Sequence, residues 1–191
     1  MNPLFIIHFF MKHTFITSDI WCNRPTGDMS NTPTSEYNDM IISNWNKIVS
    51  KKDTVYILGG LGISDMYHIL IKLNGEIHIM NNVFTEDEKY FISILKESIE
   101  NSIDKKLKNK IIFENSQILS LPEFDAILSY FPLDNWSGHI TGTYCFHGID
   151  SNSKFSENKI SCKIDNWNYK PISIFDIQDN LKKFKKNVKN S

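Results

Sequence analysis

Apolar and polar positions along the chain fall into two regimes. Between residues 13 and 110, short β-branched and aromatic runs alternate with stretches whose apolar positions recur every three or four residues. His13 to Thr17 reads as a short buried strand ending at Ser18-Asp19, and 22–33 is an Asn-, Pro-, Gly- and Ser-rich loop. Thr34 or Ser35 can cap a helix to about Ser50, with Tyr37, Met40, Ile41, Trp45 and Ile48 at helical spacing. Thr54 to Leu58 is a second strand closed by Gly59-Gly60. Ser64-Asp65 opens a second helix to Leu73, Asn74-Gly75 turns, and Glu76 to Met80 is a third strand. This βαβ rhythm predicts a mostly parallel sheet. Thr85 with Glu88 forms a capping box for a helix from Glu86 to Asn101.

Beyond Lys110 the pattern shifts to short strands, expected at 111–114, 117–121, 125–130, 141–146 and 159–164. Ser173 caps a final helix that gives way to a Lys- and Asn-rich tail. The lysine-rich segment 105–110 reads as a solvated helix end and loop, because no arginine or aromatic is interleaved with its lysines.

Composition narrows the class. The 191 residues are 41% hydrophobic and 23% charged, as in an ordinary globular chain, and the length suits one domain. The net charge is -1 and Arg24 is the only arginine, which argues against a nucleic-acid surface. Cys22, Cys145 and Cys162 are widely spaced, a pattern expected of a reducing, cytoplasmic or intracellular setting rather than of a disulfide framework. The apolar run over 1–10 is too short to span a bilayer and lacks signal-peptide features, so it is expected to be an extension preceding a single domain over 11–184, with a tail at 185–191.

The carboxyl ends of strands on such a sheet are where ligands gather. Asp19, Gly59-Gly60 and Asn81-Asn82 end successive strands, as do Ser129-Tyr130 and His147-Gly148-Ile149-Asp150 in the later half. The residues themselves resemble a known family. Phe15-Ile16-Thr17-Ser18-Asp19, Cys22-Asn23-Arg24-Pro25, Asn44-Trp45-Asn46 and Asp53 to Gly59 are similar to ordered segments of the calcineurin-like metallophosphoesterases, most closely the short phage and bacterial type. Leu73-Asn74-Gly75 through Asn82, Leu128 to Pro132, Phe146-His147-Gly148 and Asp165 to Pro171 continue the resemblance, which runs from Met11 to about Phe184. It implies an α/β sandwich of mixed sheets flanked by helices, and in active members a pair of divalent ions (manganese, iron or zinc) that activates water for phosphoester hydrolysis.

Measured against that family, this chain has lost most of its ligands. Asp19 stands in the first motif, but Trp21 replaces its histidine and the loop that follows is shortened. Gly60 takes the place of the bridging aspartate, Val83 that of the histidine after Asn82, and Tyr130 that of the fourth motif's histidine. Ile149, Asp150 and Ser151 follow Gly148 where the last motif has its histidine. Adjacent divalent cations repel each other and need several carboxylate and imidazole ligands, a bridging carboxylate among them. Asp19 and Asn82 do not suffice. Trp21, Val83 and Ile149 are expected to put apolar bulk into the cavity.

The expectation is therefore a catalytically inactive member, without cofactor, retained as a binding or assembly component for a protein partner. Phage or viral origin is suggested by the subfamily and the Asn-, Lys- and Ile-rich composition. The rival is a metal-dependent phosphomonoesterase or phosphodiesterase with a remodelled site, in which Asp19, Asn82 and Asp150 would be the ligands. A third reading is a pocket near Asn82 that binds nucleotide or phosphate without cleaving it. His147, His139, His78 and Asp65 are weaker site candidates, since a lone histidine more often packs than ligates. The degenerate positions are expected to gather at one sheet edge.

Overall fold

The structure, a computed structural model, describes residues 12–21, 34–62, 66–82, 85–149, 155–156, 158–174, 176–177 and 181. Its architecture is mixed α/β. In the first sheet β1 (Thr14–Thr17), β2 (Thr54–Ile57), β3 (Glu76–Ile79) and β4 (Ile111–Phe113) run parallel, and β10 (Ile172–Ser173) closes it antiparallel to β1. The second sheet contains β5 (Ile118–Leu121), β6 (Ala126–Ser129), β7 (Tyr144–His147), β8 (Phe155–Ser156) and β9 (Lys159–Ser161), in the order β5-β6-β7-β9-β8. Its inner strands β6, β7 and β9 are parallel and the outer pairings antiparallel. Both sheets are thus mixed.

Strand alternation divides the interior into two layers. Phe15, Val55, Ile57, Ile77 and Ile79 turn to one side of the first sheet. There they meet Ile41 and Trp45 of α1 (Thr34–Ile48), Leu70 of α2 (Met66–Leu70), Leu95 of α3 (Glu86–Glu100) and Leu107 of α4 (Lys105–Lys110). Ile16 and Ile172 turn to the other side and pack with Leu128, Phe146 and Ile160 of the second sheet. The Thr85/Glu88 capping box is present, and Asn101 caps the other end of α3.

The Asn44-Trp45-Asn46 segment is a clamp. Trp45 is fully buried, and its Nε1 donates to the Asn74 carbonyl at 2.9 Å. Asn46 Nδ2 donates to Lys72 O at 2.8 Å, while Asn46 Oδ1 accepts the Asn74 N–H at 2.7 Å. Asn74 Nδ2 in turn donates to Val49 O at 3.1 Å. These bonds supply partners for backbone groups of the turn before β3 that would otherwise lack them. The Asp165 to Pro171 segment does similar work on β9, where Trp167 Nε1 donates to Ser161 O at 2.8 Å.

Besides the apolar packing between them, backbone bonds join the two sheets at the end of β1. Ser18 N–H donates to Cys162 O at 3.1 Å, and the Ile164 N–H donates to Ser18 O at 3.1 Å, so the end of β1 continues onto the chain leaving β9.

Several sequence expectations need correction. The lysine-rich 105–110 segment forms a helix of its own, α4, because Asp104 accepts the Lys106 N–H as its cap. The strand expected over 141–146 starts later, since 137–142 turns through Gly138 and Gly142, both at positive φ. Strands β8 and β10 are too short to leave a periodic signal. Residues 1–10, the Cys22-Asn23-Arg24-Pro25 segment, Asp65 and the 185–191 tail lie outside the described residues. Among the described residues no helix is long and apolar enough to cross a membrane.

Asp53, 2% exposed, anchors the start of β2: Oδ1 accepts the His13 N–H at 2.9 Å and Oδ2 the Ser50 N–H at 2.6 Å. Asp53→Ala would leave both donors without partners. Urea denaturation is expected to show a loss of at least about 2 kcal/mol.

Candidate functional site

The carboxyl ends of β1, β2, β3, β6 and β7 converge on one crevice at the junction between the sheets. It is not the edge of a single sheet: Asp19, Gly60 and Asn82 come from the first, Tyr130 and Ile149 from the second. Backbone bonds lock the loops together. Asp19 N–H donates to Gly59 O at 3.0 Å and Trp21 N–H to Gly60 O at 3.1 Å. Across the junction, the Gly148 and Ile149 N–H groups both donate to Tyr130 O, at 2.8 and 3.1 Å. Ser18 Oγ donates to Gly148 O at 2.8 Å.

Tyr130 fills the centre. Its hydroxyl donates to Asp19 Oδ1 at 2.8 Å, and its ring lies against the backbone of Gly59 and Gly148. A Cβ on Gly59 would come within 2.6 Å of that ring, and one on Gly148 within 2.4 Å. Tyr130 thus brings bulk of its own to the crevice. Of the residues expected to fill it, Trp21 hydrogen-bonds to Asp19, and Val83 lies outside the described residues, as do Asp150 and Ser151.

Asp19 is 7% exposed and sits at φ 53°, a left-handed conformation that Asp and Asn tolerate better than most residues. Burial raises its pKa above the ordinary value. Hydrogen bonds from Tyr130 and Trp21 and the Lys163 charge pull the other way without cancelling it. Burial and the neighbouring Asp19 also push the Tyr130 phenol well above a normal tyrosine, so it stays a neutral donor. Gly60, at φ +68°, leaves the only room the Asp19 carboxylate has, for a Cβ there would stand 2.0 Å from Asp19 Oδ1.

Among the described residues, the crevice side chains do not supply the carboxylate and imidazole set that a pair of divalent cations needs. Asp19 already accepts a phenol hydroxyl, and Asn82, held through Nδ2 on Leu58 O at 2.7 Å, offers a neutral amide oxygen. Among the described residues no group of three His, Cys, Asp or Glu side chains could hold a metal ion. The cavity bordered by Gly59, Gly60 and Asn82 measures about 20 Å³, room for about one water, so a nucleotide does not fit there.

The remaining candidates have structural partners. His147, 1% exposed, has Nδ1 2.9 Å from Ile149 O. His78 lies between Glu114 Oε1 at 2.6 Å and Glu76 Oε1 at 3.2 Å, with its ring 4.8 Å from that of Tyr56. His139 packs against Trp136 at 4.1 Å. Sequence reasoning missed Ser18 and Lys163. Ser18 sits directly before the singled-out Asp19, and Lys163 carries no motif signal.

No known family's sequence profile matches the chain, and no curated protein matches it in sequence. Among solved structures it is similar to the AQ665 protein of Aquifex aeolicus, a protein of unknown function. The two share 16% identity with a TM-score of 0.58, over 88% of this chain and 99% of that one. That likeness concerns the fold alone.

Two outcomes test the crevice. Gly60→Ala places a methyl against Asp19 in a left-handed backbone, and thermal or urea unfolding should register a loss of about 2–4 kcal/mol. Asp19→Asn keeps an acceptor for Tyr130 and the tolerated φ while removing a buried charge. Because the folded pKa of Asp19 lies above its unfolded value, the folded state binds that proton more tightly, and wild-type stability falls as pH rises through the window from the unfolded to the folded pKa. Denaturation curves should show Asp19→Asn gaining on wild type as the pH rises from the ordinary carboxylate range through the raised folded pKa. A constant difference across that range would contradict this account.

Proposed function

We propose that the chain is a calcineurin-like phosphoesterase-fold protein that has lost two-metal chemistry and acts as a binding or assembly component for a protein partner. The observation that carries this reading is the seat of Tyr130. Its ring occupies the space where the strand-end loops converge, and its hydroxyl holds the Asp19 carboxylate. Phosphoryl transfer in such a fold needs metal charge on the oxygens of the transferring group and an activated water. A neutral phenol provides neither. The segments that resemble the family most closely are those with packing duties, such as the Asn44-Trp45-Asn46 clamp and Trp167 on β9. Selection that preserves packing and relaxes ligands keeps a scaffold rather than a catalyst.

Metal analysis of the purified protein should find less than stoichiometric manganese, iron or zinc. A chromogenic phosphodiester supplied with Mn²⁺ should not turn over above background. Stoichiometric bound metal, or hydrolysis abolished by Asp19→Ala, would establish the remodelled enzyme instead.

A further inference from the structure

A second recess lies away from the crevice, at the opposite end of the first sheet. A cavity of about 650 Å³ opens where β2, β3 and β4 begin, bounded by the turn at Lys51, the Leu73-Asn74-Gly75 turn and α4. Four lysines line it: Lys51, Lys72, Lys106 and Lys110. The acids on its wall, Glu76 and Asp104, are already engaged. Glu76 accepts from Lys12 at 3.0 Å and stands 3.2 Å from His78, while Asp104 caps α4 through the Lys106 N–H at 2.8 Å.

The lysines divide into a fixed member and free members. Lys110 Nζ donates to Leu70 O at 2.8 Å and Ile71 O at 3.4 Å, tying α4 to the end of α2 and setting the width of the recess. Lys51, Lys72 and Lys106 are exposed, and no carboxylate of the described residues lies within ion-pair distance of them. Like charges gathered round a concave wall repel one another, and an anion placed among them relieves that repulsion. Behind the ammonium groups the wall is aliphatic, from Ile71, Leu73 and Leu107, with the amides of Asn74 and Asn109 beside it. Ile71, 43% exposed, presents apolar surface to the recess.

The geometry points to a binding site for a small organic polyphosphate: lysines for the phosphates, an aliphatic wall for the body, and amides for its polar edge. The volume suits a nucleoside triphosphate. An extended single-stranded RNA is disfavoured, because no aromatic lines the recess for base stacking and the chain carries a net charge of -1. This site stands apart from the crevice and does not depend on the reading given for it.

Titration calorimetry at low salt should show ATP binding to the full chain, and binding more tightly than tripolyphosphate or inorganic phosphate. Combining Lys51→Gln, Lys72→Gln and Lys106→Gln on the exposed surface should weaken ATP at least about tenfold, and added salt should weaken it further. Lys89→Gln, on α3 and outside the recess, should leave affinity unchanged. No ATP binding, or binding indifferent to the triple variant, would overturn the site. Equal affinity for ATP and tripolyphosphate would remove its organic component. Tighter binding of oligouridine with increasing length would make it an RNA surface instead.

Discussion

Everything at the crevice depends on the main chain of Ser18. Its N–H and C=O bond to Cys162 and Ile164, and through them the two sheets hold a common register at the point where their strand ends meet. Its hydroxyl adds a bond to Gly148 O, which orients the loop after β7. Without that junction the sheets would be joined mainly by apolar packing, which is non-directional and tolerates sliding. Hydrogen bonds are directional, so they fix where Tyr130 enters relative to Asp19.

Tyr130, Asp19 and Gly60 then form a mutually dependent set. The carboxylate occupies the volume that a side chain at 60 would claim, and the phenol needs the bare backbone of Gly59 and Gly148 to reach it. A buried carboxylate is costly unless its acceptor capacity is met, and the phenol and Trp21 meet part of it. The incomplete cancellation leaves Asp19 with its raised pKa. Such a group is a candidate for chemistry only where a partner can exchange its proton. Here the neighbouring phenol holds its own proton even more firmly.

The parallel half of the fold was legible because its strands carry β-branched residues on a buried face and its helices carry strong signals. Val55 and Ile57, Ile77 and Ile79, and the Thr85/Glu88 box each declared their element locally. The second half was harder. Strands β8 and β10, with two residues each, have no periodicity to read, and β10 exists only through its pairing with β1, far away in sequence. Asp19, Gly60, Asn82, Tyr130 and Ile149 could be named from strand-end placement. Their spread over two sheets could not, because that follows from a backbone junction carrying no side-chain signature. The cavity beside α4 was hidden for a related reason: lysines at 51, 72, 106 and 110 converge only once β2, β3 and β4 are aligned.

The order of strands also bears on how the chain is made. β1 precedes the entire second sheet along the chain, yet one of its edges pairs with β10, through Phe15↔Ser173 and Ile16↔Ile172. The whole second sheet is synthesised in between. Until β10 has been synthesised, that edge of β1 has exposed amides and carbonyls and an incomplete apolar layer, a state prone to pairing with other nascent chains. Vectorial synthesis therefore separates an early edge from its cover by the length of the whole second sheet.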